Sequence, residues 1–251
     1  MVFVLREIPL SPRKRAFILA PAAALSLFLC ASPDAAAQSV LRDANGDGTI
    51  EILAFGDSIT YGVGDGTMPG QYVPDITDRG PPRGYPLRLS GMLGLPVVNA
   101  GVPGEEVVGI GVLEPGVDRF PEVVVGSAAD VVIIKEGVND AVHIQPAAAI
   151  SEAIQKMINV GRAEGKSVVI ATLAPPTGNH ASLRPFTESY SASIRELAIL
   201  NSLPLVDTEA LFVANCPILE ACAYYNLPEG LHPNTIGYDA ITEAVAAALA
   251  G

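Results

Sequence analysis

The sequence has little positive charge and few aromatic side chains. It contains 15 Lys and Arg residues against 27 Asp and Glu residues, which gives a formal net charge of -12. A surface with this excess of negative charge repels nucleic acids and anionic membranes, so we expect no nucleic-acid partner. Tryptophan is absent and aromatic residues make up 6% of the chain. This scarcity disfavours a polysaccharide-binding surface built on ring stacking, although small acetylated sugars stay compatible with it.

Long apolar runs are also scarce, and the one that is present lies near the N terminus. Basic residues at 13–15 precede an apolar stretch at 16–31, and alanines follow at 35–37. This order is typical of a secretory signal peptide at residues 1–37, and it predicts a periplasmic or secreted protein. Cys30 suggests a lipoprotein site as the alternative, but Leu29 stands where that processing needs a small residue. We expect no integral membrane segment in the mature chain.

Histidine and cysteine are rare, with three of each. No pair of histidines has the spacing of zinc ligands and the cysteines lie apart from them, so we predict neither a metal site nor a cofactor. Cys216 and Cys222 are close in sequence, which in an exported chain predicts a local disulfide bond. Two separate buried thiols are the alternative.

The chain after residue 37 has roughly 214 residues, enough for one sizeable core and short for two domains. We expect residues 38–49 to form a lead-in segment and residues 50–251 to form a single domain. Short apolar runs alternate with helical patterns, as in parallel strands covered on both faces. The sequence therefore predicts an α/β, three-layer, doubly wound fold with a five-stranded parallel sheet. The predicted strands lie at 50–55, 96–98, 131–134, 168–173 and 203–206, and the predicted helices at 85–93, 146–162, 182–201 and 235–249.

Polar residues at the carboxyl ends of these strands are the candidates for a functional site, because ligands of such sheets bind there. Asp57 and Ser58 follow the first predicted strand and Asp207 follows the fifth. Taken alone, Asp57 and Ser58 are also typical of a helix cap. Two segments rich in glycine and proline, 62–84 and 105–127, are predicted to be long loops near this edge.

Four short motifs lie at these strand ends or near the C terminus. They are Gly-Asp-Ser at 56–58, Asn-Ala-Gly-Val-Pro-Gly at 99–104, Gly-Val-Asn-Asp at 137–140 and Glu-Gly-Leu-His-Pro-Asn at 229–234. Together, and in this order, they resemble the GDSL or SGNH hydrolase family over nearly the whole chain after residue 37. The resemblance implies a flavodoxin-like sheet and hydrolysis of a small-molecule ester without a cofactor.

The resemblance also implies roles for individual residues. It makes Ser58 the nucleophile and His232 its general base, and it makes Ser58, Gly104 and Asn139 donors to an oxyanion. The residue types fit this chemistry, because a serine hydroxyl needs an imidazole to take its proton and the tetrahedral intermediate needs fixed donors. In isolation, Gly104 is more typical of a turn and Asn139 of a strand-end cap.

The sequence departs from the family pattern at the acidic residue that orients the histidine. The family usually has an aspartate three residues before the histidine, whereas this chain has Glu229. A glutamate can still orient the imidazole, although its extra methylene changes its reach. We favour Glu229 as the acid of a Ser-His-acid triad because it shares a loop with His232, and Asp207 is the alternative.

Three other features are candidates for functional sites. His143 and His180 are predicted to be solvated loop residues. The segment 43–49 resembles the start of a calcium loop, but Ala54 stands where a bidentate glutamate belongs, so an Asx-rich turn is favoured.

The leading interpretation is a secreted or periplasmic serine esterase that acts through an acyl-enzyme. A lysophospholipase, a thioesterase or a carbohydrate deacetylase would use the same residues. A binding protein with weakened catalysis on the same scaffold is a further alternative. The glycines at 62–66 suggest a nucleotide-binding protein, but this segment does not lead directly from a strand into a helix. The sequence gives no indication of the oligomeric state.

Overall fold

The computed structural model describes residues 40–109 and 111–251. The predicted signal peptide, the Cys30 alternative and the first two residues of the lead-in segment lie outside these residues. The predicted domain boundaries at residues 37 and 49 therefore stay predictions.

Five parallel strands form the main sheet, which confirms the predicted fold class. Their order across the sheet is β3-β1-β4-β5-β6, and β2 and β7 pair separately in a two-stranded parallel sheet. In chain order the strands are β1 (Ile52–Gly56), β2 (Tyr72–Val73), β3 (Val97–Gly101), β4 (Val131–Lys135), β5 (Ser167–Ala171), β6 (Leu205–Val206) and β7 (Leu227–Pro228).

Helices cover both faces of the main sheet. Along the chain they are α1 (Ser58–Tyr61), α2 (Gly84–Leu93), α3 (Gly116–Val124), α4 (Ala147–Ala163), α5 (Arg184–Asn201), α6 (Thr208–Asn215) and α7 (Thr235–Ala250). The four predicted helices correspond to α2, α4, α5 and α7. Among the described residues, no helix has both the length and the apolar character that a membrane crossing needs.

The segment 105–127 was predicted to be a loop, and this prediction is wrong because it contains α3. Its prolines and glycines are typical of loops, but Phe120 and Val124 are fully buried against the sheet. These two residues are one helical turn apart, so tertiary packing of one face stabilises a helix that local propensity disfavours.

Two apolar clusters fill the space on either side of the sheet, because successive strand residues point to opposite faces. Ile52 and Ala54 of β1 pack in one cluster with side chains of α2, α6 and α7. Leu53 and Phe55 pack in the other with side chains of α3, α4 and α5. All four of these β1 residues are buried, as expected for a parallel strand covered on both faces.

The strand order puts the end of β1 between the ends of β3 and β4 at the carboxyl edge. The chain runs from β1 to β3 on one side and then to β4 on the other side of β1. The strand order therefore reverses beside β1, and such a switch point leaves a crevice between neighbouring strand ends.

The predicted disulfide bond between Cys216 and Cys222 is confirmed. It links the end of α6 to the segment that leads into β7, and both cysteines are buried. The bond therefore ties together the loop that precedes the 229–234 motif.

Residues 43–49 fold as an Asx-rich turn. Both carboxylate oxygens of Asp43 accept backbone N–H groups, from Gly46 at 2.6 Å and Gly48 at 2.9 Å. Asp130 caps the same turn by accepting from the backbone N–H of Ala44 at 2.7 Å. Both carboxylate oxygens of Asp43 thus already have donors, as expected for the favoured Asx-rich turn.

Candidate active site

A tight junction at the end of β1 positions Ser58. A Cβ atom on Gly56 would lie 2.0 Å from the backbone oxygen of Lys135, so only glycine fits where β1 meets β4. Asp57 then caps α1 by accepting the backbone N–H of Ile59 at 2.8 Å. Ser58 is the first residue of α1, and its hydroxyl reaches a cavity although the residue is only 5% exposed.

A chain of hydrogen bonds links Ser58, His232 and Glu229. The Nε2 atom of His232 lies 2.9 Å from Oγ of Ser58, and its Nδ1 atom lies 2.8 Å from Oε1 of Glu229. The second carboxyl oxygen of Glu229 accepts the backbone N–H groups of Leu231 and His232, each at 2.9 Å. The three side chains come from the two ends of the domain, and the fold brings them into contact.

The electrostatics of Glu229 determine which nitrogen of His232 carries the proton. Burial raises the pKa of Glu229, but the hydrogen bond and charge of His232 and the two backbone N–H groups outweigh it, so this pKa lies below its ordinary value. The ionised carboxylate accepts only, and the proton therefore sits on Nδ1 of His232. The lone pair on Nε2 then faces the Ser58 hydroxyl.

The loop that carries Glu229 and His232 is held by main-chain contacts and by one buried amide. The backbone N–H of Glu229 donates to Val73 of β2 at 2.9 Å. The side-chain amide of Asn226 donates to the backbone oxygens of His232 at 3.2 Å and Pro233 at 3.0 Å. Sequence reasoning missed Asn226, because nothing distinguishes a buried loop asparagine from a solvated one in the sequence.

The predicted oxyanion donors lie at the ends of the two neighbouring strands. Gly104 follows β3 with a φ of +88°, in the left-handed region that glycine tolerates best. Asn139 follows β4, and one hydrogen of its amide goes to the backbone oxygen of Glu105 at 2.7 Å. The other amide hydrogen is available to a ligand. Within the described residues, the N–H groups of Ser58 and Gly104 have no protein acceptor.

These groups surround a cavity of about 180 Å³, which we call the serine cavity. Ser58, Gly104, Asn139 and His232 all line it. The remaining wall is mostly apolar and includes one cation. These further residues are Val63, Ile76, Arg79, Pro103 and Leu231. A polar side cavity of about 390 Å³, lined in part by Ile76 and Arg79 as well, lies next to it.

Asp207, the alternative acid, has other partners. Its carboxylate accepts two hydrogen bonds from Arg195, at 2.7 and 2.8 Å, and caps α6 through the backbone N–H of Ala210 at 3.0 Å. Its pKa is lowered, because the bonds from Arg195 and Ala210 outweigh burial. Asp207 therefore stabilises α6 and does not contact His232.

The two other histidines have different exposure and different contacts. His143 is about half exposed, and its Nδ1 lies 3.0 Å from Oε1 of Glu106. His180 is partly buried, and its Nδ1 lies 2.8 Å from the backbone oxygen of Glu229. The side chain of His180 is 35% exposed, and its contact with the backbone of Glu229 supports the loop that carries the acid. The described residues contain no group of three or more acidic, histidine or cysteine side chains that would hold a metal ion.

A buried pair of opposite charges lies beneath Ser58. Burial raises the pKa of Asp57, although the nearby charge of Lys135 acts in the opposite direction. Burial lowers the pKa of Lys135, while Asp57 partly compensates. Both side chains are about 1% exposed, so each depends on the other for compensation of its charge.

The fold and the site together define a doubly wound α/β protein with a serine-histidine pair at its switch point. A sequence profile of the GDSL-like lipase/acylhydrolase family matches residues 54–240. The chain therefore belongs to this family, whose members act on ester bonds. No curated protein matches the sequence significantly.

Several solved structures have the same fold. A lipase/acylhydrolase from Enterococcus faecalis is 22% identical, with a TM-score of 0.60 over 79% of this chain and 94% of the other. A GDSL-like lipase from Bacteroides thetaiotaomicron is 18% identical, with a TM-score of 0.59 over 79% and 87%. A catalytic mutant of an acetylxylan esterase from Geobacillus stearothermophilus is 20% identical, with a TM-score of 0.62 over 80% and 94%. At these identities the likeness extends to the fold alone.

Proposed function

We propose that this protein is a serine esterase that hydrolyses small carboxylic esters through an acyl-enzyme. The observation that carries the proposal is the hydrogen-bonded series Ser58, His232 and Glu229 at the wall of the serine cavity. We also propose that it acts in the periplasm or outside the cell. The Cys216–Cys222 disulfide supports this location, because disulfides persist in oxidising compartments.

In the acylation half-reaction, Oγ of Ser58 bonds to the carbonyl carbon while Nε2 of His232 takes the hydroxyl proton. The carbonyl electron pair moves to oxygen and forms a tetrahedral oxyanion. When this intermediate collapses, the bond to the alcohol oxygen breaks and the imidazolium gives its proton to that oxygen. The alcohol leaves, and the acyl group stays on Ser58.

In the deacylation half-reaction, water takes the place of the alcohol. His232 removes a proton from the water as its oxygen attacks the acyl carbon. Collapse of the second intermediate breaks the bond to Oγ of Ser58, and the proton returns to that oxygen. Glu229 stays ionised throughout and stabilises the imidazolium formed in each half.

The backbone N–H groups of Ser58 and Gly104 and the amide of Asn139 are the donors proposed for the oxyanion. Removal of one such donor typically raises the barrier by about 3 to 4 kcal/mol. The donors are effective because they are fixed before the reaction. The contact of Asn139 with the backbone oxygen of Glu105 supports this role, since it holds the amide in place without using both hydrogens.

The size of the serine cavity favours short acyl groups. Its volume of about 180 Å³ lies below the range of roughly 300 to 1000 Å³ that is typical of pockets for drug-sized ligands. An acetyl or butyryl group fits such a space, whereas a long fatty acyl chain would have to lie outside it. This argues against a lysophospholipase or a long-chain thioesterase.

Deacetylation of a small sugar is the second candidate, and the side cavity favours it. Asp75, Asp78, Arg79 and Arg83 line this cavity beside the serine cavity. Carboxylates and guanidinium groups pair well with the hydroxyl groups of a polyol, and the side cavity would then hold the alcohol part of the ester.

Rates with p-nitrophenyl esters from acetate to palmitate test the proposal. We expect turnover that declines with chain length and is lost in Ser58→Ala. Ser189→Ala is the matched control, because Ser189 is exposed on α5 far along the chain from the site motifs. Turnover that persists in Ser58→Ala would assign the nucleophile elsewhere. A wild-type protein with no turnover of any ester would favour the binding-protein alternative.

A further inference from the structure

Three ionisable side chains that the mechanism does not use lie behind the proposed oxyanion donors, and the two carboxyl groups among them are buried. Glu105 follows Gly104, Arg119 belongs to α3, and Glu136 follows β4. Glu105 and Glu136 are each 1% exposed. Buried charges are costly unless they are paired, so their partners show what the cluster does.

Arg119 clamps Glu105 with both arms of its guanidinium group. Its Nη2 donates to Oε2 of Glu105 at 2.6 Å, and its Nε donates to Oε1. The same Nη2 donates to the backbone oxygen of Ala100 at 3.0 Å, and the group lies 4.1 Å from the ring centroid of Phe55. A bidentate pair held on several sides leaves Glu105 one orientation.

The main chain of Glu105 connects this clamp to both oxyanion donors. Its N–H group lies one peptide unit after Gly104 and donates to the backbone oxygen of Val102 at 3.1 Å. Its carbonyl oxygen accepts from the amide of Asn139 at 2.7 Å. A rotation of Glu105 would therefore displace Gly104 and Asn139 together.

Glu136 is the third member of the cluster and has no donor. Among the described residues, no N–H or O–H group of another residue donates to either of its carboxyl oxygens, but a protonated Glu136 is within hydrogen-bonding reach of the carboxylate of Glu105. Its Oε2 lies 3.1 Å from the point where a Cβ atom on Gly116 would stand, and Oε2 of Glu105 lies 3.4 Å from the same point. The two carboxyl groups thus face each other across one glycine.

The charges around Glu136 favour its protonated form. Burial, followed by the negative charges of Glu105 and Asp57, raises its pKa well above the ordinary value, and Arg119 opposes this only weakly. Lys135, its neighbour on β4, interacts with Asp57 and compensates part of that charge, but it leaves the charge of Glu105 to Arg119. When Glu136 is neutral, the positive charge of Arg119 has only the negative charge of Glu105 to compensate.

We propose that Glu105 and Arg119 are positioning residues for the oxyanion donors, and that loss of the proton from Glu136 disrupts them because a second carboxylate then competes for Arg119. This inference rests on the proposed esterase function. It assigns Glu136 an effect on turnover at the pH where Glu136 loses its proton, although Glu136 does not line the serine cavity.

The first test separates positioning from binding. Glu105→Gln keeps the side-chain shape and the main chain but removes the charge that Arg119 holds. We expect kcat for p-nitrophenyl acetate to fall about 10- to 100-fold with little change in KM, somewhat less than outright loss of one oxyanion donor. Arg119→Lys, which keeps the positive charge but loses the bidentate hydrogen bonds, should lower kcat in the same way. Glu122→Gln, an exposed site on α3, is the matched control and should not change kcat.

The second test uses the pH dependence of turnover, corrected for spontaneous ester hydrolysis. Because Glu136→Gln cannot ionise, we expect the decline of kcat that accompanies ionisation of Glu136 in the wild-type protein to be absent from this variant. The same pH profile of kcat in Glu136→Gln and in the wild-type protein, or a kcat within about twofold of wild type in both Glu105→Gln and Arg119→Lys, would overturn the inference.

Stability provides a test that does not require activity. The unfolded chain loses the Glu136 proton near the ordinary value of 4.5, whereas the folded chain keeps it to higher pH. The folded state then binds more protons, so this group makes the free energy of unfolding fall as pH rises above that value. Glu136→Gln should remove this part of the decline. If the free energy of unfolding had the same pH dependence in both proteins, the proposed protonation of Glu136 would be refuted. An inactive wild-type protein would refute only the esterase function.

Discussion

Replacement of Glu229 by glutamine probes how the acid controls His232. One oxygen of Glu229 accepts two backbone N–H groups, at 2.9 Å each, and the other accepts from Nδ1 of His232 at 2.8 Å. A glutamine has one oxygen and one NH₂ group, so only one of the two positions can keep an acceptor. The structure therefore forces a choice between the backbone donors and the ring.

We expect the side-chain oxygen of the glutamine to face the backbone donors. If the NH₂ group faced the backbone donors, two buried N–H groups would be unpaired, which costs about 1 to 3 kcal/mol each. If the NH₂ group faces the ring instead, His232 can change its tautomer and no donor is left unpaired. With the amide NH₂ facing the ring, Nδ1 of His232 becomes the acceptor and Nε2 carries the proton. That nitrogen then cannot take the proton of Ser58. A wrong tautomer of this kind costs about 10⁴-fold in kcat, or about 5 kcal/mol.

Steady-state turnover of p-nitrophenyl acetate measures this effect, and thermal unfolding checks that the fold is kept. Glu196→Gln, an exposed position on α5, is the control for the chemical change itself. A kcat of Glu229→Gln within about tenfold of wild type would refute the reasoning, because a correctly oriented imidazole would then not depend on the carboxylate.

Three further predictions follow from individual contacts. Asp207→Asn should leave kcat unchanged and lower the free energy of unfolding by about 1 kcal/mol, since Asp207 caps α6 and binds Arg195; a loss of turnover in a folded variant would reinstate Asp207 as the acid. Replacement of Cys216 and Cys222 together by alanine should lower stability by about 2 kcal/mol in denaturant unfolding, from the loop-closure entropy of a six-residue separation, and an unchanged midpoint would contradict this. Burial raises the pKa of Asp140 to about 6, so its carboxyl carbon should titrate near that pH by NMR, with stability falling as pH rises from about 4 to about 6; titration at the ordinary value would show that the carboxyl is hydrated.

The main sheet and four helices were predictable because their signals are local. Strands such as β4 are short apolar runs, and helices such as α4 have an apolar face at helical spacing. The helix α3 was missed because its formation depends on Phe120 and Val124 meeting the sheet. No local pattern encodes that contact.

The same distinction applies to the site. That Ser58, Gly104, Asn139 and His232 line one cavity was predictable, because each lies in a short motif at a strand end or in the C-terminal loop. The clamp of Glu105 by Arg119 joins residues on different elements and leaves no spacing to find. Residues within short motifs are thus easier to predict than contacts between distant elements, because such contacts form only when those elements pack.

The glutamate at position 229 also allows a direct test of side-chain reach. Its carboxylate spans the distance between the ring of His232 and the two backbone N–H groups, which it binds with separate oxygens. Glu229→Asp keeps the charge but withdraws the carboxylate by one methylene, so it loses either the ring contact or the backbone contacts. We expect a kcat between those of wild type and Glu229→Gln, since even a displaced anion favours the proton on Nδ1 and stabilises the imidazolium. A Glu229→Asp enzyme as slow as Glu229→Gln would mean that hydrogen-bond geometry, rather than charge, accounts for the contribution of the acid.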